Sequence, residues 1–414
     1  MVRIREFKAL RPREDLAAEV ASPPYDVLNS HEARQRARGK PRSFLHVVKP
    51  EIGLPEDTDP YDGAVYRRGR ENLDRLAAEG VLFDDPEPAL YFYRQVMGEH
   101  SQTGLVAAAS IEDYENDRIK KHEHTRAEKE ADRVRHVETL DANTGPVFLT
   151  YPADRELDGL AGEITSGTPL YDFTADDGIR HTVWKVAGPE RIGRIKEIFS
   201  RMEKLYVADG HHRSASAVIT GQKRRAANPD HTGEEKYNFF LAVLFPHDQL
   251  RIMDYNRVVR DLAGLSPEEF LERAGENFRI EPSPGNRPRR PAAIHEFGMY
   301  LAGKWYRLTA RPGSFPEGDP VKSLDVSILQ DNLLAPVLKI GDPRRDKRID
   351  FVGGIRGLEE LARRVDGGEA VAFALHPTSI EQLMAIADRG EIMPPKSTWF
   401  EPKLRSGLLI HRLS

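Results

Sequence analysis

No cysteine occurs among the 414 residues of this chain. Disulfide bonds, a thiol nucleophile and a cysteine-ligated metal are therefore excluded. Residues 1–7, Met-Val-Arg-Ile-Arg-Glu-Phe, lack the apolar stretch of a signal peptide, and no apolar run is long enough to span a membrane. Together these absences predict a soluble, cytoplasmic protein that does not act at a membrane.

The chain has only a small excess of negative charge. The chain carries 61 Lys and Arg against 66 Asp and Glu, which gives a formal net charge of −5. An overall attraction to nucleic acid is therefore excluded, and any polyanion must bind at a local basic patch. The length exceeds that of one ordinary hydrophobic core and predicts two domains.

The most informative segment that is present is Asp209-Gly210-His211-His212-Arg213. It follows an apolar run that predicts a buried strand, and it precedes a segment that predicts a helix. Gly210 permits a tight turn out of the strand, and Asp209 can cap the helix. A carboxylate, two imidazoles and a guanidinium at a helix N-terminus, where free N–H groups favour an anion, predict a phosphate-binding site. The alternative is that Asp209 only caps the helix, while the basic residues lie on a solvated first turn.

A second basic segment runs from residue 120 to residue 136. At 3.6 residues per turn, a helix here places an imidazole and three cations on one stripe: His122, Arg126, Lys129 and Arg133. Such a line can hold several phosphate oxygens at once, with arginine binding in a bidentate manner. Interleaved acidic residues leave open the alternative of an exposed helix with salt bridges.

Polar residues at both ends of this segment are further candidates for phosphate binding: Lys121, His124 and Thr125 at its start, and Thr144 after its end. Zinc binding by His122 and His124 is disfavoured. Their i, i+2 spacing does not suit a helical metal site, and no acidic third ligand is evident.

A third cluster lies near the end of the chain, where Lys396, Ser397 and Thr398 follow two prolines. The prolines exclude a helix, and the three side chains can donate to a phosphate or to a substrate carboxylate. The glycine spacing of a P-loop is missing before Lys396, and no dinucleotide-binding glycine motif occurs elsewhere.

Five motifs, in this order, resemble those of an uncharacterised bacterial and archaeal family. They are residues 4–12 (IREFKALRP), 22–27 (SPPYDV), 121–125 (KHEHT), 208–213 (ADGHHR) and 393–398 (MPPKST). The D-G-H-H-R element relates this family to the free L-serine kinases of the ParB/sulfiredoxin superfamily. The resemblance extends from end to end of the chain.

Strand-like and helix-like segments alternate, so a mixed α/β (α+β) fold is expected. Helices are predicted at about 30–38 and 61–79, and a hairpin of strands at about 89–110.

The resemblance implies a ParB/sulfiredoxin-like core at residues 1–260, with an inserted phosphate-binding segment at about 80–200. It also implies a smaller α+β C-terminal domain at residues 261–414 that closes the site. The proline-rich stretch 282–291 is expected to be a loop or linker in the C-terminal region.

The activity that the resemblance implies is phosphorylation of free L-serine to O-phospho-L-serine, with Mg²⁺ as cofactor. Inorganic pyrophosphate is the favoured phosphoryl donor, while ADP and ATP stay open. Pyrophosphate has no base or ribose, so its site needs neither an adenine pocket nor a nucleotide-binding glycine motif.

The same resemblance implies roles for individual residues. Asp209 is the first choice for the general base or the Mg²⁺ contact, beside His211 and His212. Asp26 is the second choice, because its Pro-Pro-Tyr-Asp turn corresponds in place to the N-terminal active-site element of the serine kinases. Those kinases use a glutamate as base, for which Asp26 or Glu32 would substitute here.

Two other classes of protein stay open. A non-catalytic sensor would bind a phosphorylated metabolite through the same residues, including Arg213. A ParB-like nucleotide- or DNA-binding protein is disfavoured by the acidic net charge and by the lack of a recognisable helix-turn-helix. A sulfiredoxin-type reductase is excluded because its chemistry needs a cysteine. The oligomeric state stays open.

Overall fold

The computed structural model describes all residues, Met1–Ser414, and the chain divides into two compact units. The first unit comprises Met1–Leu250 and Pro402–Ser414, and the second comprises Arg251–Glu401. Helices and strands alternate in both units, so the expected mixed α/β class is confirmed.

Thirteen helices and twenty-one strands build the two units. The helices are α1 (Ala17–Val20), α2 (Ser30–Ala37), α3 (Leu45–Val48), α4 (Gly63–Ala78), α5 (Ile111–Glu115), α6 (Ala127–Leu140), α7 (Arg155–Thr165), α8 (Pro189–Arg201), α9 (His211–Ala227), α10 (Pro267–Ala274), α11 (Asp325–Leu329), α12 (Glu359–Asp366) and α13 (Ile380–Asp388). The strands are β1 (Ile4–Arg5), β2 (Ala9–Pro12), β3 (Leu82–Asp84), β4 (Tyr91–Met97), β5 (His100–Ser110), β6 (Ile119–Lys120), β7 (Ala142–Asn143), β8 (Val147–Tyr151), β9 (Tyr171–Thr174), β10 (Arg180–Lys185), β11 (Leu205–Asp209), β12 (Phe239–Pro246), β13 (Arg251–Met253), β14 (Tyr255–Val259), β15 (Phe278–Pro282), β16 (Glu296–Leu301), β17 (Lys304–Ala310), β18 (Ile349–Gly353), β19 (Val371–Leu375), β20 (Trp399–Glu401) and β21 (Ile410–Arg412). None of the helices combines the length and the apolar character that crossing a membrane requires.

The largest sheet of the first unit has nine strands, in the order β6-β11-β8-β12-β5-β4-β10-β9, with β1 paired to β5. β6 runs parallel to β11, and β8 runs parallel to β12, whereas the other pairs are antiparallel. The strands β8, β11 and β12 are buried at nearly every position, as expected of strands covered on both faces. Their apolar side chains, among them Leu149, Val207 and Phe240, form one core with Phe199 of α8.

A four-stranded sheet of the first unit, in the order β3-β2-β21-β7, contains the last strand of the chain. This pairing explains why residues 402–414, expected in a C-terminal domain, belong to the first unit. The main body of that unit ends at Leu250 rather than near residue 260. An antiparallel bridge also joins Ser22 to Ser406, so the Ser-Pro-Pro-Tyr-Asp element is tied to the returning segment.

The second unit has a six-stranded antiparallel sheet in the order β15-β17-β16-β19-β14-β18, and β13 pairs separately with β20. Leu361 and Val365 of α12 pack on Val258 and Ala372 of this sheet. The proline-rich stretch forms the connection between β15 and β16, with a 3-10 turn at Pro284–Asn286, so the expected loop is confirmed.

Candidate functional site

The strand β11 ends at Asp209, and α9 begins two residues later, after Gly210. Gly210 has φ 95° and ψ 34°, in the left-handed region that favours glycine. A Cβ at this position would lie 3.0 Å from Cζ of Arg213. Oδ1 of Asp209 accepts a hydrogen bond from the Gly210 N–H at 3.0 Å, and no side chain caps α9. The expectation that Asp209 caps the helix is therefore wrong, and the N–H groups of the first turn can serve an anion.

Two cations lie beside the Asp209 carboxylate. Its Oδ2 is 3.2 Å from Nζ of Lys403 and 3.4 Å from Nη2 of Arg213. Burial acts to raise the pKa of this carboxyl, but the charges of Lys403 and Arg213 outweigh it and hold the pKa well below its ordinary value. Asp209 therefore stays ionised throughout the physiological pH range.

Arg213 links Asp209 to two other motifs. Its guanidinium is buried; Nη1 donates to the carbonyl of Pro146, and Nη2 lies 3.8 Å from Oδ2 of Asp26. Burial acts to lower the pKa of Arg213, whereas Asp26 and Asp209 raise it, and the net shift is upward. One charged guanidinium thus lies between the two aspartates that the sequence singled out. Glu32, the alternative to Asp26, completes the capping box of α2 with Asn29 instead.

The basic segment after residue 120 is only partly helical. α6 begins at Ala127, and Arg126 is its N-cap, with an extended backbone at φ −96° and ψ 128°. The pairing of β6 with β11 holds Ile119 and Lys120 extended, and residues 121–126 lie outside regular secondary structure. The predicted stripe is therefore wrong for His122, which lies outside the helix, and Arg126 lies at its edge.

The same strand pairing brings His122 to the start of α9, because parallel neighbours end at the same edge of a sheet. The rings of His122 and His211 meet edge to face, with centroids 4.4 Å apart. Burial lowers the pKa of His122 to about 4 and that of His211 well below its ordinary value. Both imidazoles are therefore neutral near pH 7. The carboxylate of Glu123 lies beside them, with Oε2 at 3.9 Å from Nδ1 of His211.

His212 connects the starts of two helices. Its Nε2 accepts a hydrogen bond from the backbone N–H of Arg126 at 3.1 Å. Burial and the charge of Arg126 lower the pKa of His212, which favours the unprotonated Nε2 that this bond requires. Neither α6 nor α9 has a side-chain cap, and the two helices pack together. Two uncapped N-termini, each the positive end of a helix dipole, therefore lie side by side.

A cavity of the first unit is lined by Arg213 together with Tyr25, Arg133, Thr144 and Ser406. The guanidinium of Arg133 lies over the ring of Tyr25, 4.1 Å from its centroid. The backbone and side chain of Thr144 are nearly fully buried. The structure thus brings Arg133 of the basic segment, Thr144 just after that segment and Arg213 of the D-G-H-H-R motif to one cavity.

Comparison with known families assigns the chain to one of them. The profile of the family described as "Protein of unknown function (DUF1015)" matches residues 4–327. The chain belongs to this family. No curated protein matches it at a significant level.

Several solved structures match this DUF1015 chain at low identity. A free serine kinase in complex with AMP is 15% identical, with a TM-score of 0.35, over 74% of this chain and 92% of that chain. A conserved hypothetical protein from Pyrococcus furiosus is 14% identical, with a TM-score of 0.34, over 74% and 95%. SbnI with a C-terminal truncation, from Staphylococcus aureus, is 13% identical, with a TM-score of 0.37, over 74% and 86%. At these identities and TM-scores the matches do not establish the function of this chain.

Some of the predicted phosphate ligands make contacts elsewhere in the first unit. Three of them use their polar atoms within the chain: Lys121 with the carbonyl of Tyr114 at 3.1 Å, Thr125 with Glu130 at 2.8 Å, and Lys129 with the hydroxyl of Tyr61 at 2.7 Å. His124 and Arg126 are exposed. Of these residues, Arg126 is the one that contacts the D-G-H-H-R motif, through its backbone.

Lys396, Ser397 and Thr398 belong to the second unit. The hydroxyl of Ser397 donates to the carbonyl of Pro394 at 2.6 Å, and the carbonyl of Lys396 accepts from Arg257 at 2.9 Å. These bonds shape the loop, and a part for its side chains in phosphate or carboxylate binding stays a prediction.

Sequence reasoning missed two residues of the site. Lys403 contacts Asp209 from a distant segment, and no motif spacing marks it. In the sequence, Glu123 is one of the acidic residues interleaved in the basic segment. Its position between His122 and His124 was the sequence signal that could have placed it in the site.

Proposed function

We propose that this protein is a small-molecule kinase that transfers a phosphoryl group to the hydroxyl of free L-serine, forming O-phospho-L-serine. The observation that carries the proposal is the ionised Asp209, held between Lys403 and Arg213 at the start of an uncapped helix. Cations that neutralise phosphoryl oxygens, with a carboxylate beside them, are the groups that phosphoryl transfer uses. The likeness of the D-G-H-H-R motif to that of the free serine kinases supports serine as acceptor.

Inorganic pyrophosphate is the donor we favour. Its charged oxygens would bind at the adjoining N-termini of α6 and α9, where N–H groups and dipoles attract an anion. Arg126 and Arg213 add positive charge there. The chain contains no glycine-rich nucleotide motif, and pyrophosphate requires none. ADP and ATP are the alternative donors, which the same groups would hold through their terminal phosphates.

In this reaction the serine hydroxyl oxygen forms a bond to phosphorus. The bond from phosphorus to the leaving phosphate breaks, and the leaving phosphate keeps the electron pair. The hydroxyl proton passes to a carboxylate, and we assign this role to Asp26. Asp209 is a poor proton acceptor, because its two cations hold its pKa well below the ordinary value. The side chain of Asp26 is 37% exposed, so a substrate can approach it.

Asp209 would instead hold the cations and contact Mg²⁺, which supplies further charge neutralisation on the donor phosphates. An ionised carboxylate oxygen is the ligand type that Mg²⁺ prefers. Oδ2 of Asp209 makes both cation contacts, while Oδ1 accepts only from the Gly210 N–H. His212 acts as a positioning residue, because its bond to the Arg126 N–H joins the two helix starts.

The direct test is ³¹P NMR of the full-length protein with Mg²⁺ and L-serine. Pyrophosphate, ADP and ATP are supplied in separate samples, and L-threonine and L-homoserine replace serine in parallel. A phosphoserine resonance with pyrophosphate is the expected result, and a resonance with ADP or ATP alone would change the donor. Silence in every sample, from protein shown to be folded, would overturn the proposal in favour of a non-catalytic sensor of a phosphorylated metabolite.

Variants at Asp26 and Asp209 connect the activity to the site. Both Asp26→Asn and Asp209→Asn should lose turnover, whereas Asp57→Asn, the same chemical change at an exposed position, should not. Near-normal turnover in Asp209→Asn would contradict the assignment of the site.

A further inference from the structure

A cluster of metal-ligand type lies next to Asp209 and has no part in the proposed phosphoryl transfer. His122 and Glu123 come from the connection after β6, and His211 is the first residue of α9. Each offers one ligand atom, and these atoms all lie within 4.8 Å of one another. Two separate elements supply these three residues. The spacing in the sequence suggests pairing His122 with His124, and it does not reveal the cluster.

The buried nitrogen atoms of this cluster are a second, independent observation. Both ring nitrogens of His122 and Nε2 of His211 are buried and have no hydrogen-bond partner. The two residues are only 2% and 5% exposed. Buried polar atoms in folded proteins are nearly always paired. Each histidine of the cluster has at least one buried ring nitrogen without a partner, and that nitrogen is available to a ligand. Neutral imidazole nitrogens, each with a lone pair, are common metal ligands.

We propose that His122, Glu123 and His211 bind one divalent transition-metal ion, with Zn²⁺ as the chemical match. Two imidazoles and a carboxylate form a donor set found in zinc sites that keep a position open. Mg²⁺ is a poor match, because it prefers oxygen ligands in octahedral geometry. This site is separate from the Mg²⁺ contact proposed at Asp209, and it holds or fails whether or not the protein is a kinase.

The cluster needs a small closure to bind the ion. Ligands about 2.0–2.2 Å from a tetrahedral ion lie about 3.4 Å from one another, whereas the ligand atoms of this cluster are up to 4.8 Å apart. His122 and His211 are held by burial, while the Glu123 side chain is 42% exposed and lies outside regular secondary structure. Rotation of Glu123 is therefore the movement we expect. The bound ion would fasten the connection after β6 to the first turn of α9.

Three protein ligands leave a coordination position for water or for an oxygen of an anionic ligand. That position would lie near the start of α9, the region assigned above to phosphate. The experiment therefore measures binding of the ion alone, without any phosphate.

The experiment uses the full-length protein after removal of metals with a chelator and without substrates. Zn²⁺, Mn²⁺ and Mg²⁺ are titrated separately by isothermal titration calorimetry, and thermal unfolding is followed with and without Zn²⁺. We expect one equivalent of Zn²⁺ to bind and to raise the unfolding temperature, with Mg²⁺ binding much more weakly. No Zn²⁺ binding, or binding that Mg²⁺ equals, would overturn the proposal.

His124 provides a matched control, because it is an exposed histidine two residues from His122. His124→Asn should bind Zn²⁺ as the wild type does, whereas His122→Asn and His211→Asn should bind it at least tenfold more weakly. Glu123→Gln changes a partly exposed side chain and should fold normally, so its expected loss of affinity tests the site even if a histidine variant unfolds. Equal affinity in Glu123→Gln and wild type would remove the carboxylate from the site and contradict the proposed ligand set.

Substitution with Co²⁺ gives a readout of geometry. Visible d–d absorption of the tetrahedral type should appear in the wild type and in His124→Asn, and should be lost in Glu123→Gln and His211→Asn. A spectrum of octahedral, aquo-like cobalt in the wild type would mean that the ion binds elsewhere.

Discussion

Nζ of Lys403 lies 3.2 Å from Oδ2 of Asp209, although 194 positions separate the two residues in the chain. The carbonyl of Lys403 accepts a hydrogen bond from Nε2 of Gln95 at 2.9 Å, and Gln102 donates to Gln95 at 3.1 Å. Both glutamines are fully buried on the β4–β5 hairpin. The large sheet therefore anchors the returning segment and holds the ammonium beside the carboxylate.

Lys403→Met removes this charge while keeping most of the apolar stem. We expect the pKa of Asp209 to rise, because Lys403 is the strongest of the groups that lower it. With one cation fewer at the phosphate site, kcat for phosphoryl transfer should fall at least tenfold. Lys403→Arg keeps the charge and should retain much of the rate. Wild-type kcat in Lys403→Met, measured by the ³¹P assay, would show that this ion pair does not serve the reaction.

The two aspartates should fail in different ways when each is replaced by asparagine. Asp26→Asn removes the proposed proton acceptor, so kcat should fall by about 10²–10⁴ while the donor still binds. Asp209→Asn removes the group that positions Lys403 and Arg213, so donor binding in the presence of Mg²⁺ should weaken as well. Calorimetric titration of pyrophosphate into both variants separates these outcomes. Equal donor affinity in the two would contradict the division of roles.

Gly210→Ala should both strain the backbone and displace Arg213. The φ of Gly210 is 95°, and the added Cβ would meet the guanidinium at 3.0 Å. Gly178 also has a positive φ, 78°, but nothing lies within 4 Å of its added Cβ. Both alanine variants should lose about 1–2 kcal/mol of stability to the left-handed backbone. Only Gly210→Ala should also weaken pyrophosphate binding, about tenfold, and equal binding in both variants would argue against the role of Arg213.

Local structure follows closely from local sequence in this chain. The helices predicted at about 30–38 and 61–79 correspond to α2 and α4, and the predicted hairpin corresponds to β4 and β5. These elements carry their own signals. For example, Asn29 and Glu32 form the capping box that starts α2.

The site depends on pairings between distant segments, which local patterns do not encode. Helical periodicity predicts that His122 lies on a helix with Lys129. In the structure β6 pairs with β11, residues 121–126 form an irregular connection, and the helix begins only at Ala127. The contact of His122 with His211 follows from that pairing. Lys403 lies on the segment that returns to the first unit with β21, and it contacts Asp209 there. The residues were partly predictable, whereas their partners were not.

Several buried histidines should make the first unit sensitive to acid. Burial lowers the pKa of His136, His181 and His411 to about 3, from an ordinary value of 6.5. Above pH 6.5 the rings are neutral in the folded and the unfolded chain, so they add no pH dependence. Below it the unfolded chain binds protons that the folded chain does not, and the free energy of unfolding falls. Each ring contributes up to about 1.4 kcal/mol per pH unit, until the pH nears the folded pKa.

His136→Gln should remove one of these contributions, because glutamine does not titrate and can still donate to the carbonyl of Val47, as His136 Nε2 does at 3.1 Å. Urea unfolding at pH 7, 6 and 5 measures the effect. The free energy of unfolding should fall less steeply with acid in His136→Gln than in the wild type, by about 1 kcal/mol per pH unit below pH 6. His31→Gln, the same change at an exposed position on α2, should keep the wild-type slope. An unchanged slope in His136→Gln would mean that the buried His136 ring takes up its proton in the folded protein. The acid sensitivity would then come from other groups.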